Sequence, residues 1–263
     1  MMPKPDLPKV AALEERFRQQ LLATLPKIDW GILFGCQFWG SSARLIESGT
    51  ARALVGIRPA GGQEAAAYNR DHGGLDKPYA DPRWNAFLDE TSPGHSPYQE
   101  SIRALFEAMY GEDDGEETLR RTACLNVCPF YTASASPRHL PPELWAMSAE
   151  WCVEILEALQ PKLELILCLG NGAPSSRVWP PRARSATRSP WAVLEACFGM
   201  EVRATVRIGH RTNFSLKDGF LKNGSLAGTR VLGLPLRVLG PRRDLLSNLL
   251  GQVQRIGRAR RFP

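Results

Sequence analysis

The chain has 263 residues, of which 43% are hydrophobic, and 33 Lys and Arg against 27 Asp and Glu give it a formal charge of +6. That size and apolar content support a real core in one large domain or two small ones. No run approaches the roughly 20 apolar residues that span a bilayer, and Met1–Asp6 lacks a basic stretch followed by an apolar one, so no membrane-spanning helix, no secretory leader and a cytoplasmic location are the expectations.

In chain order, Val10, Leu13, Phe17, Leu21 and Leu22 recur at helical spacing over 8–25, with Pro26 as the stop. Trp30 to Trp39 is apolar, aromatic and glycine-punctuated, and reads as a strand or a lining loop. Residues 51–57 form the first core strand. The segment 58–97 is polar and rich in Gly, Pro, Asp and aromatics, and reads as a long functional loop. A helix over 97–110 follows, with Ile102, Leu105, Phe106 and Met109 on its apolar face, and then an acidic surface turn at Glu112–Glu117. The second core strand is 121–127. Pro141-Pro142-Glu143 opens a helix in the way proline and an acid suit a first turn, and its apolar face is Leu144, Met147, Trp151, Ile155 and Leu159. The third strand is 163–169, and 174–190 is a basic, proline-rich loop. A helix at 190–198, strands near 201–208 and 230–234, and a last helix at 241–256 complete the chain.

Strands alternating with helices define a three-layer α/β/α domain around a central, mainly parallel four-stranded sheet. A single domain over 1–263 is expected, with an N-terminal helical extension (about 1–28) and a basic C-terminal helix (about 241–263). The six cysteines, at 36, 124, 128, 152, 168 and 197, contain no C-x-x-C pair, so reduced and mostly buried thiols are expected, with no metal and no cofactor. The charge is unevenly distributed. Residues 177–211 carry seven arginines against two glutamates, and Arg242, Arg243, Arg255, Arg258, Arg260 and Arg261 follow Gly240. Such asymmetry suits a polyanion.

Three short strings end the three core strands: Gly56-Ile57-Arg58-Pro59-Ala60, Leu125-Asn126-Val127 and Leu167-Cys168-Leu169-Gly170-Asn171-Gly172-Ala173. Ligands of open α/β sheets bind outside the carboxyl ends of the strands, so a Gly/Pro turn, a lone amide and a Gly-rich turn are expected along one crevice. In order and spacing these strings resemble the uracil-DNA glycosylase superfamily, families four and five in particular. There a G-x-x-P-G/A motif follows the first strand, T-N-V ends the second, a proline-led helix follows, and a P-K-hydrophobic strand leads into an L-G-x-x-A turn. Asn69-Arg70-Asp71, Lys77-Pro78-Tyr79 and Pro161-Lys162 match the intervening segments. The likeness spans roughly 51–175. The family's last motif, H-P-S, has Leu234-Pro235-Leu236-Arg237-Val238-Leu239 in its place, without histidine, and the cysteines that hold the family-four cluster are absent save Cys152.

The resemblance implies a monofunctional DNA glycosylase that hydrolyses the N-glycosidic bond of a flipped, uracil-like or modified base and leaves an abasic site, in repair or in defence against modified phage DNA. The expected partner is single- or double-stranded DNA, and the expected state a monomer. Asn126, donor and acceptor in one amide, would read the base edge. Gly56, Pro59 and Ala60 would bring backbone close to the ligand, Gln63 would donate to a base oxygen, and Tyr79 would stack on the base. Glu64 and Asp71 are the carboxylate candidates for orienting water or steadying the cationic sugar; Asn69 and Asp76 are further groups on the same segment. Arg58 stands where some branches carry a water-positioning acid or amide. In place of the late histidine, Arg237 or His210 would stabilise the departing base or contact phosphate, and Arg182, Arg184 and Arg188 would contact DNA. A catalytically inactive nucleic-acid-binding protein of the same fold is the alternative.

Overall fold

The computed structural model describes residues 8–24, 33–36, 38–57, 59, 63–72, 76–89, 97–132, 141–170, 189–208, 214–235, 239 and 243–260. In chain order the elements are α1 (Pro8–Thr24), β1 (Leu33–Cys36), α2 (Arg44–Ser48), β2 (Arg52–Gly56), α3 (Gln63–Asp71), α4 (Lys77–Ala80), α5 (Pro97–Tyr110), α6 (Glu112–Arg120), β3 (Ala123–Asn126), β4 (Phe130–Thr132), α7 (Pro142–Ala158), β5 (Leu165–Leu169), α8 (Pro190–Phe198), β6 (Met200–Arg207), β7 (Ser215–Leu221), β8 (Arg230–Leu234) and α9 (Arg243–Arg260).

Successive side chains of a strand point to opposite faces, and the short apolar runs use both. On β2, Ala53 and Val55 enter one core and Leu54 the other; on β5, Ile166 and Cys168 oppose Leu165, Leu167 and Leu169. The first core takes α1, α7 and α8 through Phe17, Leu144, Trp151, Trp191 and their neighbours. The second takes α5, α6 and α9 through Ile102, Phe106, Leu119, Leu249 and Val253. Burial of each such side chain contributes roughly 1.5–3 kcal/mol. These are strands covered on both faces, which is why they read as continuous apolar runs rather than alternating ones. The α/β class and its layers agree with the sequence.

The sheet differs from expectation. It has six strands in the order β3-β2-β5-β8-β7-β6. The first four are parallel, and β7 and β6 extend the sheet antiparallel. The two strands beyond the expected four are β6, which the sequence does indicate, and β7, whose Lys217 and Asp218 interrupt any apolar run. Asp218 is nonetheless buried, because Arg230 on β8 meets its carboxylate through two hydrogen bonds of 3.0 and 3.2 Å. A separate two-stranded ribbon pairs β1 with β4.

Two further readings are corrected. The 58–97 segment is not a bare loop, since it holds α3 and α4. The acidic run is a helix, α6, and not a turn: Glu116 and Glu117 pair with Arg120 and Arg121 one turn on, and Arg83 also reaches Glu117. The Arg121 hydrogen bond, with Arg83 and Arg120 nearby, lowers the Glu117 carboxyl below its usual range.

The two sheet borders are finished differently. At β3 the segment 40–41 covers the outer edge: Gly40 N–H donates to Cys124 O at 2.7 Å, and Cys124 N–H donates to the Ser41 hydroxyl at 2.9 Å. A Cβ on Gly40 would sit 3.2 Å from Cys124, so a side chain there would press on the strand. Asn85 completes this cover, its amide donating to Leu119 O and to the Cys124 sulfur. At the other border β6 has no strand beyond it among the described residues, and the pairing shifts between Val202 and Ala204. That bulge places Arg203 over the Phe220 ring, 4.3 Å from its centroid. Of the cysteines, 124, 128, 152 and 168 are buried free thiols and Cys197 is an exposed one; burial pushes the Cys124 thiol up to about 12. No described helix is long and apolar enough to cross a membrane.

Candidate functional site

The carboxyl ends of β3, β2, β5 and β8 lie side by side, and Gly56, Asn126 and Leu169 of the three sequence strings stand there. The register sets Gly56 beside Asn126. Past the ladder, Val127 N–H donates to Gly56 O and Cys128 N–H to Ile57 O, both at 2.9 Å, so the two turns are laced together. The Asn126 side chain lies across Gly56. A Cβ on Gly56 would collide with Asn126 Oδ1 and sit 3.4 Å from its Cγ. A side chain here would push the amide aside, so glycine is favoured by this close approach rather than by backbone conformation. Asn126 is half-buried, and its amide makes no hydrogen bond to another described residue.

Gly170 closes the other side. Its φ of +124° is one that side-chain-bearing residues rarely adopt. Its N–H donates to Leu234 O at 2.9 Å and its carbonyl accepts from Trp191 N–H at 3.4 Å, which ties the ends of β5 and β8 to the start of α8. A Cβ on Gly170 would meet Ile57 at 3.4 Å and Pro190 at 3.5 Å. The first and third strings are therefore in contact through Ile57. Ser189 caps α8, its hydroxyl accepting from Ala192 N–H at 3.2 Å, a cap that contributes about 1 kcal/mol.

The structure brings together Gly56 and Asn126, with buried Pro59 next along the first turn. Gln63 and Glu64 are exposed on the first turn of α3, where an acid suits the positive end of the helix. Asp71 is at the opposite end, exposed and paired with Arg70 at 3.1 Å. At ~1.5 Å rise per residue the two carboxylates stand about 10 Å apart along the axis, too far to hold one water between them. Asn69 donates to the Tyr131 hydroxyl at 2.6 Å, which fastens α3 to β4.

Tyr79 is in the core at 6% exposure. Its hydroxyl meets the Trp39 indole N–H at 2.8 Å, which also reaches the buried Glu14 at 2.9 Å. Its ring belongs to the core cluster that also holds Val55, Leu125 and Val127. The Phe38-Trp39 and Trp84-Asn85 pairs are likewise structural: Phe38 and Trp39 pack on Trp151, and Trp84 donates to Asp89, which also holds Lys77. Arg58, Ala60, Arg182, Arg184, Arg188, His210 and Arg237 lie outside the described residues.

Of two cations at this end of the sheet, sequence reasoning counted Arg207 only among the seven arginines of 177–211 and passed over Lys217. Lys217 pairs with Gly233 of β8, which is level with Cys168 of β5, and Arg207 pairs with Ser215 at the ends of β6 and β7. The signal available was their alternation with Thr205 and Ser215. Among the described residues no group of three or more His, Cys, Asp or Glu side chains is placed to hold a metal ion. The chain matches no protein-family model, no curated protein and no solved structure.

Proposed function

We propose that this chain is a monofunctional DNA glycosylase that grips an extruded base between the first turn and Asn126. The observation that carries this reading is the Asn126 amide, laid over Gly56 at the strand ends and free of described protein partners. An amide so placed offers a donor and an acceptor to a pyrimidine edge, and Gly56 leaves room for it to lie flat against the backbone. The order of strings that resembles the uracil-DNA glycosylase superfamily supports the same assignment. On this reading Pro59 and Ala60 line the approach, Arg58 and Glu64 flank the reacting sugar, and the fixed positive charges of Arg58 and Arg237 favour a departing base anion without supplying a proton. Water attacks the anomeric carbon, the bond to the base nitrogen breaks, and the sugar–phosphate chain stays intact. The arginines at 182, 184, 188 and 237 and His210 serve the DNA backbone.

Mass spectrometry of bases released from uracil-containing, unmodified and hypermodified phage DNA tests the reading. Free base and alkali-labile sites are expected, without direct nicks. Asn126→Ala is expected to slow release by about 100-fold or more, the scale of losing one oriented donor, and to keep DNA binding. No base released from any of these substrates would sink the proposal.

The exposure of Glu64 and Asp71, and the pairing of Asp71 with Arg70, favour a second reading: a nucleic-acid-binding protein that performs no chemistry. It predicts salt-sensitive DNA binding with no abasic sites at any enzyme excess.

A further inference from the structure

The antiparallel hairpin β6–β7 reaches the same end of the sheet as Asn126 and Gly56, and one face of it carries an unusual set. Register pairs Thr205 with Lys217 and Arg207 with Ser215. Directly opposed residues of an antiparallel pair share a face, as do residues two apart on one strand. The four therefore form a square of two cations and two hydroxyls, cation diagonal to cation, with Cβ atoms of opposed members about 5 Å apart.

The face is fixed independently. Leu221, in step with Lys217 and Gly219, belongs to the core beneath α8, whereas Leu216 belongs to the opposite core. Lys217 Nζ accordingly sits 5.3 Å from the centroid of the Trp191 ring on α8. That contact holds the ammonium without neutralising it.

Most other described cations are answered. Arg16, Arg18, Arg70, Arg83, Arg120, Arg121, Arg203 and Arg230 pair with carboxylates, as does Lys77. Arg103 and Arg255 donate to backbone carbonyls, as does Lys162. Arg207 and Lys217 have neither kind of partner among the described residues. Burial lowers the pKa of the Lys217 ammonium, and Glu195 of α8 opposes this through space without an ion pair between them; one Glu195 carboxylate oxygen is buried with no donor among the described residues. Two neighbouring cations with no ion pair among the described residues, and hydroxyls between them, form a cradle for a tetrahedral oxyanion.

We infer that the Arg207–Ser215–Thr205–Lys217 face binds a backbone phosphate of a nucleic-acid strand whose base is held at Asn126. The inference rests on the reading of this protein as a DNA-binding one. Parallel-sheet ends then hold the base, and the antiparallel hairpin holds the strand at a remove of four spacings, from β3 to β7, about 19 Å at the usual ~4.8 Å spacing.

The test measures affinity of the full chain for a fluorescent single-stranded oligodeoxynucleotide across a salt series. Each lost phosphate contact lowers the slope of log K against log salt by ~0.7 for a single strand. Arg207→Gln, at an exposed position, should lower the slope by up to ~0.7, and the Arg207→Gln/Lys217→Gln pair, which removes the one shared phosphate contact completely, by ~0.7. Lys222→Gln, at the opposite end of β7, should leave it unchanged. Inorganic phosphate at millimolar concentration distinguishes a general anion cradle: competition by phosphate alone at equal charge concentration to DNA would overturn the assignment to a nucleic-acid strand. Unchanged slopes in both variants, or no DNA binding by the wild-type chain, would also overturn it. Slope losses in a protein that releases no base would keep this site and reject the glycosylase, whereas base release with unchanged slopes would do the reverse.

Discussion

The four parallel strands β3-β2-β5-β8 and the antiparallel pair β7–β6 share one ladder, yet their side chains face different demands. The parallel strands are buried on both faces, so each needs apolar residues throughout, and polar chemistry is confined to their ends, at Asn126, Gly56 and Gly170. β6 is exposed along most of its length, and the hairpin carries charge along its length: Glu201, Arg203, Arg207, Lys217 and Asp218. One half concentrates its function at a rim, and the other can use a face. The seam between them is the buried Asp218–Arg230 pair, which joins β7 to β8.

That seam offers the largest expected effect. Asp218→Asn leaves a buried guanidinium without its counter-charge and should cost about 3–5 kcal/mol in urea unfolding, whereas replacing both partners with apolar residues of similar volume should come out close to neutral. Equal losses from the single and double changes would show that the pair itself, and not the orphaned charge, sustains the junction. At the rim, Gly56→Ala places a methyl group where Asn126 Oδ1 now lies. The amide can swing aside, so unfolding stability should change by less than about 1 kcal/mol, while base release should drop roughly tenfold to a hundredfold, as misplacing a binding group does. A large stability loss with proportionate activity loss would instead make Gly56 a packing residue. The smallest effect is expected at the open border: Val202→Thr, at 47% exposure, should fall within about 0.5 kcal/mol of the parent, and a larger loss in melting experiments would mean that β6 is covered in solution.

Much of the parallel half was legible. Apolar runs bounded by Gly and Pro gave β2, β3, β5 and β8, and proline-led starts gave α7 and α8, because local pattern and tertiary burial agree there. The hairpin's second strand was not, since Asp218 reads as solvent-facing until Arg230, twelve residues on, is known to meet it. α6 carried a readable cue in the four-residue spacing of Glu116–Arg120 and Glu117–Arg121, which the density of acids obscured. α3 holds three consecutive alanines, a good helix-forming stretch, but glycines on either side concealed it. At the site, the adjacency of Gly56 and Asn126 follows from strand ends alone. The placement of Tyr79 does not, because an aromatic in a polar segment gives no hint that Trp39 and Glu14 wait for it in the core.

The cover over β3 has a consequence for biogenesis. Ser41 precedes the strand it protects by 83 positions, so on a ribosome the lid exists before the border it shields, and β3 can be sealed as soon as it docks on β2. β6 comes after these strands, and among the described residues no later strand pairs with its outer edge. Its bulge, which turns the strand's two portions to opposite sides, spoils it as a template for a neighbouring nascent chain.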